Sequence, residues 1–398
     1  MRMTHAAGRF GALVAGATAV LVMAACGGNG SAAPAAGQGA AATDSAEHAG
    51  HGSTVVPVAA PLRAGERFVT LKMPQPYTPQ APNGGTDEYR CFLVDPKLTS
   101  NAYLTGSQFM PQNTAIVHHA IFFKVNPEQA ARARSVDAAS PGEGWTCFGD
   151  AGIGGDGGWV AHWAPGANET LLSPGVGYPM PPGSLLVMQV HYNLLATGGK
   201  PGGSDQSSIR LRLADGARQL QPLETLTLPA PVELPCAAGE SGPLCDRSAA
   251  VADVARRFGN DVGSTEAGLL QRCGNGSPVP GNTQHCDHPV RGAGKIYAVA
   301  GHMHLLGRSI KIELNPGQPG ARTLLDIPVY NFDDQAIHPL ATPVEVKPGD
   351  TLRVTCTHDA GLRKLLPQLR TLKPRYVVWG DGTSDEMCLG LVVWSPQS

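Results

Sequence analysis

Residues 115–125, AIVHHAIFFKV, and 295–304, KIYAVAGHMH, are two short apolar runs in which neighbouring positions alternate in part between large apolar and polar or small side chains. That period of two is what a strand half-buried in a sheet requires. The same reading extends to RFVTLKM (67–73), EYRCFLV (88–94), SLLVMQVHYNLL (184–195) and SIRLRL (208–213). A second series follows in SIKIEL (309–314), TLLDIPVY (323–330), VEVKPGDTLRVTCTH (344–358) and LGLVVW (389–394). Pro, Gly and Asn punctuate the runs, and helical spacing is weak except in SAAVADVARRF (248–258) and TEAGLLQRC (265–273). The expectation is an all-β protein of two tandem antiparallel β-sandwiches, jelly-roll-like, dividing near Gln221 to Leu228.

The 398 residues have a formal charge of −2, only 16% charged side chains, and 50 Gly and 34 Pro, so the chain is rich in loops. No run of Lys or Arg is present, which excludes nucleic acid as a partner. Residues 1–26 read as an export signal, with Arg2 and Arg9 ahead of the apolar FGALVAGATAVLVMAA (10–25). VMAAC (22–26), followed by two glycines, resembles a bacterial lipobox. Cys26 is then the lipidated first residue of a periplasmic or cell-surface lipoprotein, and cleavage near Ala25 with free secretion is the alternative. The apolar segment is too short for a lasting span, so membrane contact is expected only through the lipid anchor. Residues 27–54 are a tether of Gly, Ala and Ser in which His48 and His51 read as solvated bystanders. The rest is too long for one typical core and suits two domains, 55–222 and 223–398, the second with a Cys-rich insertion at about 229–289. Gly-x-Ser-x-Gly, P-loop and dinucleotide fingerprints are absent from the sequence, which removes hydrolase, nucleotide, flavin and nicotinamide readings.

Five histidines and one methionine stand in or beside the strand-like runs. They are His118 and His119, His191 in MQVHYN (188–193), His302 and His304 in GHMHLLGR (301–308), and Met387 in GTSDEMC (382–388). Imidazoles together with a thioether suit copper better than magnesium or calcium, and a thioether favours Cu(I) over Zn(II) or Fe(II). The spacing of His302 and His304 puts both on one face of an extended strand, with Met303 opposite. His118 and His119 would point to opposite faces of a regular strand, so a shared ion needs a bulge, a twist or a strand end there. His191 shares a face with Gln189 and Val187 and, alone, reads more readily as a hydrogen-bonded core residue than as a ligand. His162, His338 and His358 are expected to be structural, Asp385 to be a turn residue, and Glu386 to be either a turn residue or a group that orients an imidazole.

Taken in order, VHH, QVHYN, GHMHLLGR and SDEMC resemble the copper type II, ascorbate-dependent monooxygenase family, which includes peptidylglycine α-hydroxylating monooxygenase and dopamine β-monooxygenase. WAPGA (163–167) and PGVGYPMPPGS (174–184) stand where that family has a similar Gly/Pro-rich stretch, and the likeness covers most of residues 85–395. It implies that His118, His119 and His191 hold an electron-supplying copper in the first domain. It implies that His302, His304 and Met387 hold, in the second, the copper that meets dioxygen and substrate, the two facing each other across a solvent-filled cleft. Two copper ions per chain, an electron donor such as ascorbate, O2 and a small organic substrate whose C–H bond becomes an alcohol follow from the same resemblance.

Cys91–Cys147 and Cys356–Cys388 match disulfides of the family, the second clamping the strand that bears Met387. Among the remaining Cys236, Cys245, Cys273 and Cys286, proximity suggests Cys236–Cys245 and Cys273–Cys286, although three connectivities are open. Cys273, His285, Cys286 and His288 also offer a zinc set, but export favours disulfides. Peptide-amidating members hold a substrate carboxylate with an Arg before the His-x-His pair and with Asn and Tyr after the methionine. Ala300, Leu389 and Leu391 occupy those positions here, which points to an apolar substrate, unless both leucines simply pack in the core. A non-catalytic copper-binding or copper-handling lipoprotein is the alternative function, and zinc hydrolysis at a three-histidine site ranks last.

Overall fold

A computed structural model describes residues 58–154 and 158–397 of the chain. The expected export segment, Cys26 and the tether with His48 and His51 lie outside the described residues.

The strand Val117–Val125 is buried at almost every position, which is why its sequence is nearly continuously apolar. It is an inner strand of a five-stranded antiparallel sheet in the order 145–146, Asp87–Val94, Leu185–Asn193, Val117–Val125, Gly158–Trp163. Alternation still sorts its side chains. Ala120 and Phe122 face a second sheet, built from Glu66–Lys72, Ser208–Asp215, Ala102–Met110, Val176–Met180 and the short strand Gln221–Pro222, where they meet Leu104, Phe109, Ile209 and Leu211. Ile121 and Phe123 face outward into a smaller core closed by Trp145, Ile153 and the helix α1, Pro127–Ala139. His119 and His191 fall in step with this outward set, at the end of the sheet away from Val125 and Leu185.

After Pro222 the chain leaves the first pair of sheets and enters a second. Glu224–Pro229, Leu389–Pro396, Gly294–His302 and His338–Val346 make one antiparallel sheet. Thr283–Pro289, Thr351–His358, Gly307–Leu314 and Arg322–Ile327 make the other. Ile296, Val299, Val392 and Trp394 pack on Ile310, Ile312, Val354 and Cys356 between them. The two inner strands of the first of these sheets, Gly294–His302 and Leu389–Pro396, are buried on both faces, because Ala298 and Val393 join the core of the first sandwich. Gly301 lets the two sheets of this second pair approach each other: a Cβ there would lie 2.7 Å from Ile310 Cγ2.

The two sequence runs with helical spacing are helices α2, Arg247–Phe258, and α3, Asn260–Cys273. Asp246 caps α2 through Ala249 N at 2.9 Å. Helix α1 escaped the sequence reading because it has no apolar stripe; only Ala133 is buried, and its Ala, Arg and Glu residues form it by propensity. The edge strand Thr283–Pro289 escaped for a related reason, since only Gln284 and Cys286 turn inward. Disulfides join Cys91 to Cys147, Cys236 to Cys245, Cys273 to Cys286 and Cys356 to Cys388. The zinc alternative at Cys273, His285, Cys286 and His288 thereby loses both sulfurs.

Phe122 is fully buried between the sheets of the first sandwich, so Phe122→Ala is expected to cost about 3–5 kcal/mol, read as a lower urea midpoint. Leu365 is 73% exposed, and Leu365→Ala should stay within about 0.5 kcal/mol of the wild type.

Candidate metal centre

The adjacency of His118 and His119 is resolved by a β-bulge. Along Leu185–Asn193 the pairing steps from Val117↔Tyr192 to His119↔His191, which leaves His118 as the extra residue. The bulge turns both imidazoles to the same side, and the nitrogens of His118, His119 and His191 converge within 4.8 Å of one another in a buried pocket. Nδ1 of His119 stands 3.1 Å from Nδ1 of His118 and 3.3 Å from Nδ1 of His191. A ring nitrogen carries one proton or one lone pair, so His119 cannot donate in both contacts. Ligands at about 2.0–2.1 Å from one ion, at angles near 100–110°, stand about 3.1–3.4 Å apart, so the trio fits a single metal.

The surroundings prepare these rings for that role. His191 Nε2 meets Asp87 Oδ1 at 2.9 Å, which leaves Nδ1 as the nitrogen facing the other two. Tyr89 stacks flat on His191 at 4.1 Å and donates its hydroxyl to the carbonyl of Asp381. Burial by itself would raise the Asp87 carboxyl, yet hydrogen bonds from His191, Thr383 and Thr86 hold it below the usual carboxylate range. Burial, reinforced by the neighbouring imidazoles, drives His119 well below the ordinary histidine value and keeps its lone pair free at neutral pH.

The second set is built around the end of the strand Gly294–His302. The sequence placed His302 and His304 on one strand, but the strand stops at His302 and His304 lies two residues beyond it. Their rings are nonetheless 5.2 Å apart and nearly perpendicular. Gln335 Oε1 accepts from His302 Nδ1, and the carbonyl of Asp385 lies 3.3 Å from His304 Nδ1, so both rings offer Nε2. His304 Nε2 is buried with no hydrogen-bond partner, the signature of a position that a metal completes. Burial, followed by the charge of its neighbour His304, pushes His302 down to about 3. His302 pairs with Leu389 across the sheet, and Met387 lies two residues before that partner in the chain.

Glu386 fixes that approach. Its fully buried carboxylate accepts the backbone N–H groups of His304 at 2.9 Å and Leu306 at 2.6 Å, and it faces His358 Nε2 at 3.3 Å. Glu386 is therefore a strut between the His-x-His turn and the methionine segment. His358, expected to be structural, is fully buried against it and within 3.4 Å of the Met387 carbonyl. Asp385 is not a simple turn residue: it is buried and takes a two-pronged ion pair from Arg257 at 2.6 and 2.7 Å, with Arg375 at 3.1 Å. Burial raises the Asp385 carboxyl, and the two arginines bring it below its ordinary value. A short-range sequence reading had no access to these partners, because Arg257 is 128 positions away.

The two histidine sets do not stand apart across a solvent-filled cleft. His119 and His302 meet edge to face with centroids 5.5 Å apart, and Phe332 stacks on His118 at 4.2 Å while reaching His304 at 6.2 Å. Solvent space lies beside the pair instead, as a cavity of about 590 Å³ onto which His119, His302 and Met387 all open. Ala300, Leu389 and Leu391 line this cavity, and so does His162, whose burial lowers it to about 4. Asp381 is in the lining too; burial, with Asp385 nearby, raises its carboxyl to about 7.

These imidazoles give the metal-free protein a defined acid response. Unfolded histidines protonate near pH 6.5, whereas folded His302 and His162 resist to about 3 and 4. The unfolded chain thus binds more protons below about pH 6.5, and stability falls as pH drops through that value, by up to about 1.4 kcal/mol per pH unit for each imidazole. Urea midpoints of the metal-free protein between about pH 7.5 and 4.5 check this, and a flat profile contradicts it.

Residues 282–398 match the family described as copper type II ascorbate-dependent monooxygenase, C-terminal domain. Among solved structures, the chain is similar to the major capsid protein P2 from bacteriophage PM2, with TM-score 0.28 and 7% identity over 83% of this chain and 98% of that one. It is also similar to allantoicase, with TM-score 0.18 and 10% identity over 84% and 90%. Both scores are too low to inform fold or function. His302, His304 and Met387 all fall inside the family match, and through residues 282–398 this chain carries the C-terminal domain of the copper type II, ascorbate-dependent monooxygenases.

Proposed function

We propose that the protein is a copper-dependent monooxygenase that hydroxylates a C–H bond of a small organic substrate with O2 and an external reductant such as ascorbate. The observation that supports this reading is the shared cavity: a histidine from the first set, a histidine from the second and the methionine open onto one space of about 590 Å³. In this reading His118, His119 and His191 hold one copper through the converging Nδ1 atoms. His302 and His304 hold the other through Nε2, with the Met387 thioether as its soft ligand. Copper, when bound, supplies the one-electron redox chemistry that lets dioxygen react with a C–H bond. One oxygen atom enters the alcohol and the other leaves as water, with two electrons and two protons from the reductant.

The chain's own groups do the positioning. Asp87, Gln335 and the Asp385 carbonyl each take the second nitrogen of a ligand imidazole and so fix its tautomer and its aim. Glu386 holds the backbone of the His-x-His turn, and the bridge from Cys356 to Cys388 anchors the residue after Met387. Tyr89, Phe148, Trp379 and Leu389 give the cavity an apolar lining that limits water around the reacting bond. Four disulfides fit an oxidising compartment, and no helix among the described residues is long and apolar enough to cross a membrane. We assign the protein to the exported fraction, either anchored through a lipid on Cys26 or secreted.

The alternative, a copper-handling lipoprotein without turnover, is separated by dioxygen uptake coupled to ascorbate oxidation and alcohol formation. X-ray absorption on the reduced protein should find two coppers per chain, one with a sulfur ligand; a single zinc sinks the proposal. Met387→Ala should abolish hydroxylation while leaving the copper of the first histidine set in place. Asp87→Asn should lower first-site copper affinity or turnover by about 10–100-fold, measured by competition with a chelator of known affinity and by ascorbate-driven oxygen uptake.

A further inference from the structure

The insertion between the two sandwiches has a job that neither its cysteines nor its length explains. One face of α3 looks into the cavity: Val262, Thr265, Gly268, Leu269 and Arg272 recur at helical spacing and all line it. His119, His302 and Met387 line the same cavity. The helix is held firmly in this place. Glu266, on its buried side, accepts Val232 N at 3.0 Å and Trp379 N at 3.2 Å, and Cys273 at its end is bridged to Cys286. Trp379 begins the segment that leads to Met387, so the wall and the methionine are referred to the same stretch of backbone.

Gly268 is the informative residue of this face. Glycine inside a helix is less favourable than alanine, so it usually has a packing reason. Gly263 has one, since a Cβ there would lie 2.5 Å from Ala255 on α2. Gly268 has none of that kind: it is an exposed residue of the cavity lining, and a Cβ there would meet no atom within 4 Å. What its missing side chain preserves is room. Around that room Phe148, Trp379 and Leu391 are apolar or aromatic, and the buried Asp381 opposes a second carboxylate. Arg272, the one cation of the lining, is exposed to water on the helix.

We propose that α3 is the substrate-selecting wall of the cavity, with Gly268 keeping it open for an aromatic small molecule that carries no carboxylate. This inference rests on the monooxygenase reading for the chemistry, while the selection itself is a property of the cavity. It is therefore tested by binding alone. The neutral fluorescent probe N-phenyl-1-naphthylamine is titrated into the full folded chain, with and without copper, and then displaced by benzyl alcohol or by benzoate.

The wild type should bind one probe per chain, with benzyl alcohol displacing it at least tenfold better than benzoate. Gly268→Phe should weaken the probe at least tenfold and Gly268→Ala no more than about threefold, with far-UV circular dichroism unchanged. Thr265→Phe fills the same space from the next turn and serves if Gly268→Phe does not fold. Unchanged probe binding in a folded Phe variant, benzoate competing as well as benzyl alcohol, or no saturable binding in the wild type would each overturn the proposal. Loss of copper binding or turnover with this pattern intact would instead sink the monooxygenase reading and leave the cavity assignment standing.

Discussion

A carboxylate removed from water must be met by donors or cations, and this protein applies that constraint repeatedly around residues 379–388. Asp87, from the first sandwich, meets at its Oδ1 both His191 and the amide and hydroxyl of Thr383, 296 positions along the chain. Asp385 takes Arg257 and Arg375, and Glu386 takes the amides of His304 and Leu306. Each is at most 2% exposed. Removing one partner from such a pair leaves a buried charge uncompensated, a loss of order 3–5 kcal/mol, so the arrangement is held as a unit.

The consequence is that the methionine segment cannot move without disturbing both histidine sets. Thr383 is tied to the carboxylate that aims His191, Asp385 lends its carbonyl to His304, and Glu386 grips the turn between His304 and Leu306. Helix α2 enters the same network through Arg257, and α3 through Glu266. An excursion with two disulfides of its own is thus fastened to the candidate centre at two points, which accounts for α3 standing where the cavity needs a wall.

Much of the frame was legible in single residues. Alternation in 115–125 and 295–304 gave strands, and a shared ion at His118 and His119 called for a bulge, a twist or a strand end; the register between Val117 and His119 contains a bulge. Other features were hidden for stateable reasons. Helix α1 has no apolar face to betray it, and the edge strand at 283–289 turns too few side chains inward. Asp385 looked like a turn residue because turn and ion-pair roles draw on the same local composition; only the arrival of Arg257 distinguishes them. The expectation of a cleft failed at His119 and His302, whose rings meet edge to face, because the adjacent strands Gly294–His302 and Leu389–Pro396 pack directly on the first sandwich through Ala298 and Val393.

The sequence by itself determined which chemistry is available: five imidazoles, a thioether, strands to carry them and cysteines suited to oxidation. Those are properties of residue type and short-range period, which survive in a string of letters. The tertiary structure alone decided that three Nδ1 atoms meet, that Asp87 and Glu386 aim and brace the ligands, and that the two sets share one cavity walled by α3. Those depend on strand register and on hydrogen bonds between residues scores or hundreds of positions apart, whose energies exist only once burial has taken water away from both partners.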